Sequence, residues 1–291
     1  MVPISLLIWI LLEVAGYLAV GRLLLHAEWP YAIAGAVGGI LGIRAGINTI
    51  TWTFGLAFAS PAAPMSSAAM LKMMAAEYVA FLRTFVLVLP FERLWMRADR
   101  LSNCARPILL VHGYGCSRGV WHVLRRRLEA AGHVVATVSL TPPYTSMGKM
   151  VPQLARRIEE VCAATGARQV TLLAHSMGGL ICRSYLARHG NDKVARLITL
   201  ATPHAGTALA RIGFGQNARE MEPDSLWLQD MADEQTHVPT LALRNPYDNY
   251  VMPQDNQKLP GARDVELPPT GHIAQLYDAG VARVVLASLA D

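Results

Sequence analysis

The sequence predicts an α/β protein, a doubly wound and mainly parallel sheet, preceded by a helical hairpin that crosses a membrane. Three observations carry this reading. Beyond residue 105, short apolar runs alternate with amphipathic helical stretches, the pattern of strands covered by helices on both faces. One of those runs, residues 170–174, passes through a single serine directly into a helical pattern at 180–188. Before residue 60 lie two almost continuously apolar stretches, 3–25 and 31–59, each longer than the roughly 20 residues a helix needs to span hydrocarbon.

The 291 residues divide into a transmembrane hairpin at 1–60, an amphipathic, interfacial helical linker at 61–104 and a catalytic domain at 105–291. The first 60 hold only Glu13, Arg22, Glu28 and Arg44 as acidic and basic residues, so the whole formal excess of +5 belongs to the remainder. That excess is modest and its arginines are interspersed with carboxylates, which argues against nucleic acid and for an anionic membrane surface as partner. No Lys or Arg precedes the first apolar run and the second follows at once, a poor fit to a cleaved secretory signal. Counted from a turn centred near Glu28, Glu13 lies 15 residues back and Arg44 lies 16 forward. Equal depth predicts that they pair, because an unpaired charge in the bilayer costs about 2.5–3.5 kcal/mol. Gly35, Gly38, Gly39, Gly42 and Gly46 form overlapping Gly-x-x-x-Gly spacings that serve either the hairpin itself or a homodimer.

Pro61 and Pro64 break the chain before a helical pattern at 66–89, whose Lys72, Glu77 and Arg83 favour a helix lying on the membrane or on the catalytic domain over a third crossing. Pro90 ends it. Phe91, Leu94 and Trp95 then share one face while Arg93, Arg97 and Arg100 share another, the signature of a short interfacial segment.

In the catalytic domain, strands are expected at 108–111, 134–138, 170–174, 197–200, 240–243 and 264–267, with helices near 119–131, 147–164, 177–188 and 272–289. Right-handed crossovers put every strand's carboxyl end on one edge, where sites gather. Ser176 stands at the strand-to-helix turn with small residues two positions either side, Ala174 and Gly178: a nucleophile elbow in its Ala-x-Ser-x-Gly variant. The first strand ends in His112-Gly113-Tyr114-Gly115, whose glycines free backbone amides for an oxyanion; the donors expected are Tyr114 N–H and Met177 N–H. Such an elbow takes its acid and then its base from further along the chain. Among nine histidines, His272 follows the last strand in a glycine-containing turn and is the base expected, whereas His112 and His204 come before the acid expected and His175 adjoins the serine and points elsewhere. Asp248 is the expected acid, directly after a strand, with Asp264 the alternative at a strand start. In these roles His272 takes the Ser176 proton while Asp248 fixes the imidazole tautomer. Cys104, Cys116, Cys162 and Cys182 show no metal spacing, and Cys162 and Cys182 read as buried thiols.

From about Pro107 onward the chain resembles the α/β-hydrolase superfamily, and within it the small bacterial triacylglycerol lipases and related membrane-associated lipase-like proteins. The motifs that carry this are Val111-His112-Gly113-Tyr114-Gly115, the Ala174–Gly179 elbow, Thr202-Pro203-His204-Ala205-Gly206-Thr207, Asp248-x-x-Val251-x-Pro253 and Gly271-His272, in that order. The resemblance implies a serine hydrolase that cleaves lipid or other acyl esters without a cofactor, and makes His204 a structural or pocket residue. His112, His204 and Trp227 are the expected substrate contacts. Residues 208–236 are few for a large lid, yet Ile212, Phe214, Leu226, Trp227 and Leu228 offer a small apolar cap. The expectation is a membrane-anchored lipase or esterase, multi-pass in the bacterial inner membrane with its catalytic domain cytoplasmic. An acyltransferase or thioesterase with the same acyl-serine, and a catalytically silent membrane scaffold, are the alternatives.

Overall fold

Five short, mainly aliphatic runs and one polar edge run pair into one parallel sheet in the computed structural model, which describes residues 1–232 and 237–290. The chain opens with α1 (Val2–Ala19), prolonged by a π-helical turn to Leu24, and α2 (Trp29–Ala57). Next come α3 (Ser67–Leu82), likewise prolonged through Arg83–Val88, and the short α4 (Glu92–Trp95). The body then runs β1 (Ile108–Val111), α5 (His122–Ala130), β2 (Val135–Val138), α6 (Val151–Thr165), β3 (Val170–His175), α7 (Met177–His189) and β4 (Val194–Leu200). It closes with α8 (Gln216–Glu220), α9 (Leu226–Ala232), β5 (Thr240–Arg244), β6 (Arg263–Glu266) and α10 (Ala279–Ala290).

Strand order is β2-β1-β3-β4-β5-β6, parallel throughout. Because side chains alternate across a sheet, Leu109, Val111, Leu172 and Ala174 join Leu154, Ile158 and Leu180 of α6 and α7 on one face. Ile108, Leu110, Leu173 and Ile198 join Leu124, Leu128, Val281 and Val285 of α5 and α10 on the other. Burial on both faces is why the central strands read as unbroken apolar runs. The edge strand β6 is polar instead, and Arg244 of β5 bridges to Asp264 and Glu266 across it. The helix expected near 272–289 is divided: a 3₁₀ turn at Ala274–Leu276 precedes α10, and Asp278 Oδ1 accepts from Val281 N at 2.8 Å, starting a fresh helix there.

Val2–Leu24 and Trp29–Ala57 are both long and apolar enough to cross a membrane. They pack as a hairpin in which Arg44 donates to the carboxylate of Glu13, both side chains largely buried. Tyr17 occupies the space beside Gly39, where a Cβ would stand 2.6 Å from the ring, so this glycine serves the hairpin; Gly35, Gly38, Gly42 and Gly46 face open space. Helix α3 lies between α2 and the body that carries the sheet. Its Tyr78 hydroxyl donates to Leu41 O at 2.8 Å, Ala80 and Phe81 pack on Ile273 and Ala274, and Thr84 Oγ1 meets the Tyr277 hydroxyl at 2.6 Å. After α4, which leaves Leu94 81% exposed, the linker is tied down by Asp99. Its buried carboxylate takes Thr137 N at 2.8 Å and the guanidinium groups of Arg118, Arg125 and Arg157.

Candidate active site

At the carboxyl end of β3, Ser176 adopts φ 55°, ψ −131°, a conformation a non-glycine residue holds only under strain. The surrounding contacts enforce it. A Cβ on Gly178 would meet Val111 O at 2.5 Å and His112 O at 2.7 Å, and one on Gly113 would meet Ser176 Cβ at 2.9 Å. Only glycine lets α7 and the β1 loop approach this closely, so the elbow and the expected oxyanion loop are pressed together at the serine. Met177 opens α7, where the first amides have no intrahelical partner. Among the described residues neither Met177 N nor Tyr114 N donates to a protein acceptor, which leaves both free for an oxyanion. The Tyr114 phenol clamps the segment after β4, accepting from Phe214 N at 2.9 Å and donating to Phe214 O.

The expected acid and base meet beyond the ends of β5 and β6. His272 Nδ1 donates to Asp248 Oδ2 at 2.8 Å, and both side chains are almost fully buried. The other oxygen, Asp248 Oδ1, accepts from Tyr250 N at 2.7 Å and Val251 N at 2.8 Å, which fixes the carboxylate in its loop. The imidazole packs against Tyr250, stacked at 4.9 Å, and His175 at 4.5 Å. Asp264 is remote from this pair, on exposed β6 with Arg244, so the geometry selects Asp248 between the two carboxylates. Ser176 Oγ makes no hydrogen bond among the described residues; in ligand-free sites the nucleophile-to-base contact commonly closes only around substrate.

Two supports come from outside the hydrolase body and were not assigned from sequence. Glu77 of α3, fully buried, accepts from Ile273 N with both carboxylate oxygens at 3.0 Å and from Ala274 N at 2.7 Å, gripping the two residues after His272. Burial raises its pKa to about 7 against the lowering effect of those backbone donors. Asn249 accepts from His272 N at 3.0 Å and donates to Thr51 Oγ1 of α2 at 2.8 Å. Gln254, donating to Asp248 O at 2.9 Å, also takes Ser60 N at 2.7 Å, so the acid loop rests on the end of α2. A signal for Glu77 did exist. Met73, Glu77, Ala80, Phe81 and Thr84 follow i, i+4, i+7, i+8, i+11, which puts one carboxylate on the apolar face of α3.

Beside Ser176 opens a cleft of about 380 Å³ lined by Ile47, Ile50, Leu209, Ile212, Phe214 and Tyr250, among others. The three expected substrate contacts lie elsewhere. His112 is buried with Nε2 accepting from Leu140 N and Nδ1 donating to Gly113 O, both at 2.9 Å, so it fixes the 113–115 loop; burial lowers its pKa to about 4. His204 is buried against Thr199 Oγ1 at 3.1 Å, and Trp227 packs on the core. Of the expected cap, Ile212 and Phe214 line the cleft, Leu226 and Trp227 do not, Leu228 is buried, and residues 233–236 lie outside the described residues. All four cysteines are free thiols, Cys162 and Cys182 buried. Among the described residues no group of three His, Cys, Asp or Glu side chains is arranged to hold a metal.

A parallel sheet with an elbow serine, a facing glycine loop, and an Asp–His pair beyond the later strands defines the α/β-hydrolase fold. Residues 106–227 match the family model of that fold, a stretch that ends before Asp248 and His272. Within this class the chain is similar to triacylglycerol lipases: 32% identical over 137 residues to one from Pseudarthrobacter phenanthrenivorans, and 35% over 116 residues to one from Vibrio cholerae. These alignments cover 44% and 38% of this chain and 42% and 36% of the relatives, so the chain spans about two fifths of their length. Bacillus licheniformis lipase BlEst2 in mature form shares the fold at TM-score 0.56 and 21% identity, covering 67% of this chain and 96% of its own. Bromoperoxidase from Bacillus anthracis matches at TM-score 0.53 and 14% identity over 65% of this chain and 94% of its own, so the fold alone does not choose the chemistry.

Proposed function

We propose that the chain is a membrane-anchored carboxylic-ester hydrolase of the lipase or esterase type, working through an acyl-serine at Ser176. The observation that carries this reading is the buried Asp248–His272 pair, delivered to the same sheet edge as a serine on strained backbone. Ser176 Oγ attacks the ester carbonyl as His272 Nε2 takes its proton, and Asp248 holds the Nδ1–H and steadies the imidazolium. Tyr114 N and Met177 N stabilise the oxyanion, a contribution worth about 3–4 kcal/mol per donor. Collapse expels the alkoxide with the His272 proton; water, activated by the same imidazole, then releases the acid. Apolar lining of the cleft suits an aliphatic acyl chain, and similarity to triacylglycerol lipases supports the same substrate class. The two apolar helices support an anchor that keeps the site beside a lipid substrate, raising its effective concentration.

A fluorophosphonate probe tests the reading. The folded wild type is expected to label and Ser176→Ala to stay unlabelled; a folded wild type that neither labels nor hydrolyses nitrophenyl esters would overturn it in favour of a silent scaffold.

A further inference from the structure

Of all the walls of the cleft beside Ser176, one is not built by the hydrolase body. Ile47, Ile50 and Thr51 belong to α2, yet they line the same space as Ser176, Leu209, Ile212 and Phe214. Their placement is fixed rather than incidental. Asn249 donates to Thr51 Oγ1, Gln254 Nε2 reaches Gly55 O at 3.3 Å, and a Cβ on Gly55 would meet the Asn249 backbone at 3.3 Å. The face involved is also open: Ile43, Ile47 and Ile50 follow i, i+4, i+7 and remain 46%, 40% and 48% exposed. Across the cleft mouth Ile212 and Phe214 are 59% and 74% exposed.

The length of α2 places this surface relative to a bilayer. Its 29 residues extend about 43 Å at 1.5 Å per residue, against a hydrocarbon core about 30 Å thick. Counted from Trp29, some 20 residues cross that core; Ile47 and Ile50 then fall at its far boundary with the headgroups. An acyl lipid keeps its ester at that boundary and its chain in the hydrocarbon, along the same helix face.

We propose that α2 is the acyl-selecting wall of this site, and that the acyl ester of a bilayer lipid slides along its Ile43–Ile47–Ile50 face to Ser176 without passing through water. The proposal rests on the ester-hydrolase reading and adds to it both the source of the substrate and residues that set chain length. A tryptophan at position 47 or 50 narrows the cleft from the α2 side and shortens the chain it accepts; an alanine at 50 lengthens it.

The test uses the full chain reconstituted in phosphatidylethanolamine/phosphatidylglycerol vesicles that carry fluorogenic dodecanoyl or butanoyl esters of a phospholipid that does not exchange between vesicles. Ile47→Trp and Ile50→Trp are expected to lower the dodecanoyl-to-butanoyl rate ratio at least about tenfold, the scale on which an apolar pocket discriminates chain length. Ile50→Ala is expected to move the ratio the opposite way. Ile33→Trp, on the same helix and exposed but outside the cleft, is expected to keep the wild-type ratio. Hydrolysis is expected when enzyme and ester share a vesicle and not when they occupy separate ones. A wild-type ratio in labelled Ile47→Trp and Ile50→Trp would overturn the proposal. If those variants fail to fold, a wild-type ratio in Ile50→Ala does the same. Equal rates on ester in separate vesicles would overturn access through the bilayer. Failure of the underlying reading looks different, since the wild type would then neither label nor hydrolyse either ester.

Discussion

Glu77→Gln tests whether a carboxylate from outside the hydrolase body governs the turn that carries His272. Folded Glu77 retains its proton up to about 7, whereas the ordinary carboxyl releases it near 4.5. Between those values the folded state binds more protons than the unfolded one, so this group's contribution to stability is fully present below about pH 4.5 and is lost as pH rises through about 7. At about 1.4 kcal/mol per pH unit, the loss is on the order of 3 kcal/mol. Glutamine carries no charge at any pH and does not share that loss. Its amide nitrogen cannot accept from Ile273 N or Ala274 N as the second carboxyl oxygen does, which costs about 1–3 kcal/mol near pH 5, where both side chains are neutral. The variant is therefore expected to melt below the wild type near pH 5, and the gap is expected to close or reverse by about pH 8.5. For a chain of this size the relative movement is roughly 6–12 °C. Thermal midpoints of both proteins in one detergent across that range measure it, and subtracting them cancels the titrating groups that do not sense Glu77. A gap that stays constant with pH would refute the placement of a titrating carboxylate under the turn. Displacing the His272 turn is also expected to lower kcat by about tenfold to a hundredfold with a smaller change in KM, with rates taken well below the melting transition and normalised to the folded fraction so that loss of folded protein does not enter.

Asp248→Asn is expected to lower kcat by about 10⁴, because the amide cannot hold the His272 tautomer, whereas Asp264→Asn should leave activity within about twofold, like most exposed changes away from a site; ester turnover of both variants decides, and a crippled Asp264→Asn would overturn the assignment. Glu13→Leu and Arg44→Leu are each expected to destabilise the hairpin by about 3 kcal/mol by leaving one buried charge unpaired, while the double change should cost less than the sum of the two. Thermal midpoints in detergent report this, and strictly additive effects would mean the two side chains do not interact.

The sequence on its own was enough for the sheet and its elbow serine, because both rest on local patterning. Strands buried on both faces are mainly apolar, so runs such as Ile108–Val111 and residues 172–174 announce themselves. An elbow demands small residues at fixed offsets from Ser176, and the Glu13–Arg44 pair follows from symmetric spacing about a turn. What only the tertiary structure decided are choices between residues that local pattern treats alike. Asp248 and Asp264 both neighbour a strand, and burial against His272 rather than exposure beside Arg244 separates them. His112 and His204 both follow strands, as site residues do, yet each is buried in the frame around the site. Glu77, Thr51 and Ile50 belong to helices with no hydrolase signature. Their bearing on the turn of His272, the loop of Asp248 and the cleft of Ser176 arises from packing between segments about 200 residues apart in some cases, and no local pattern encodes such contacts.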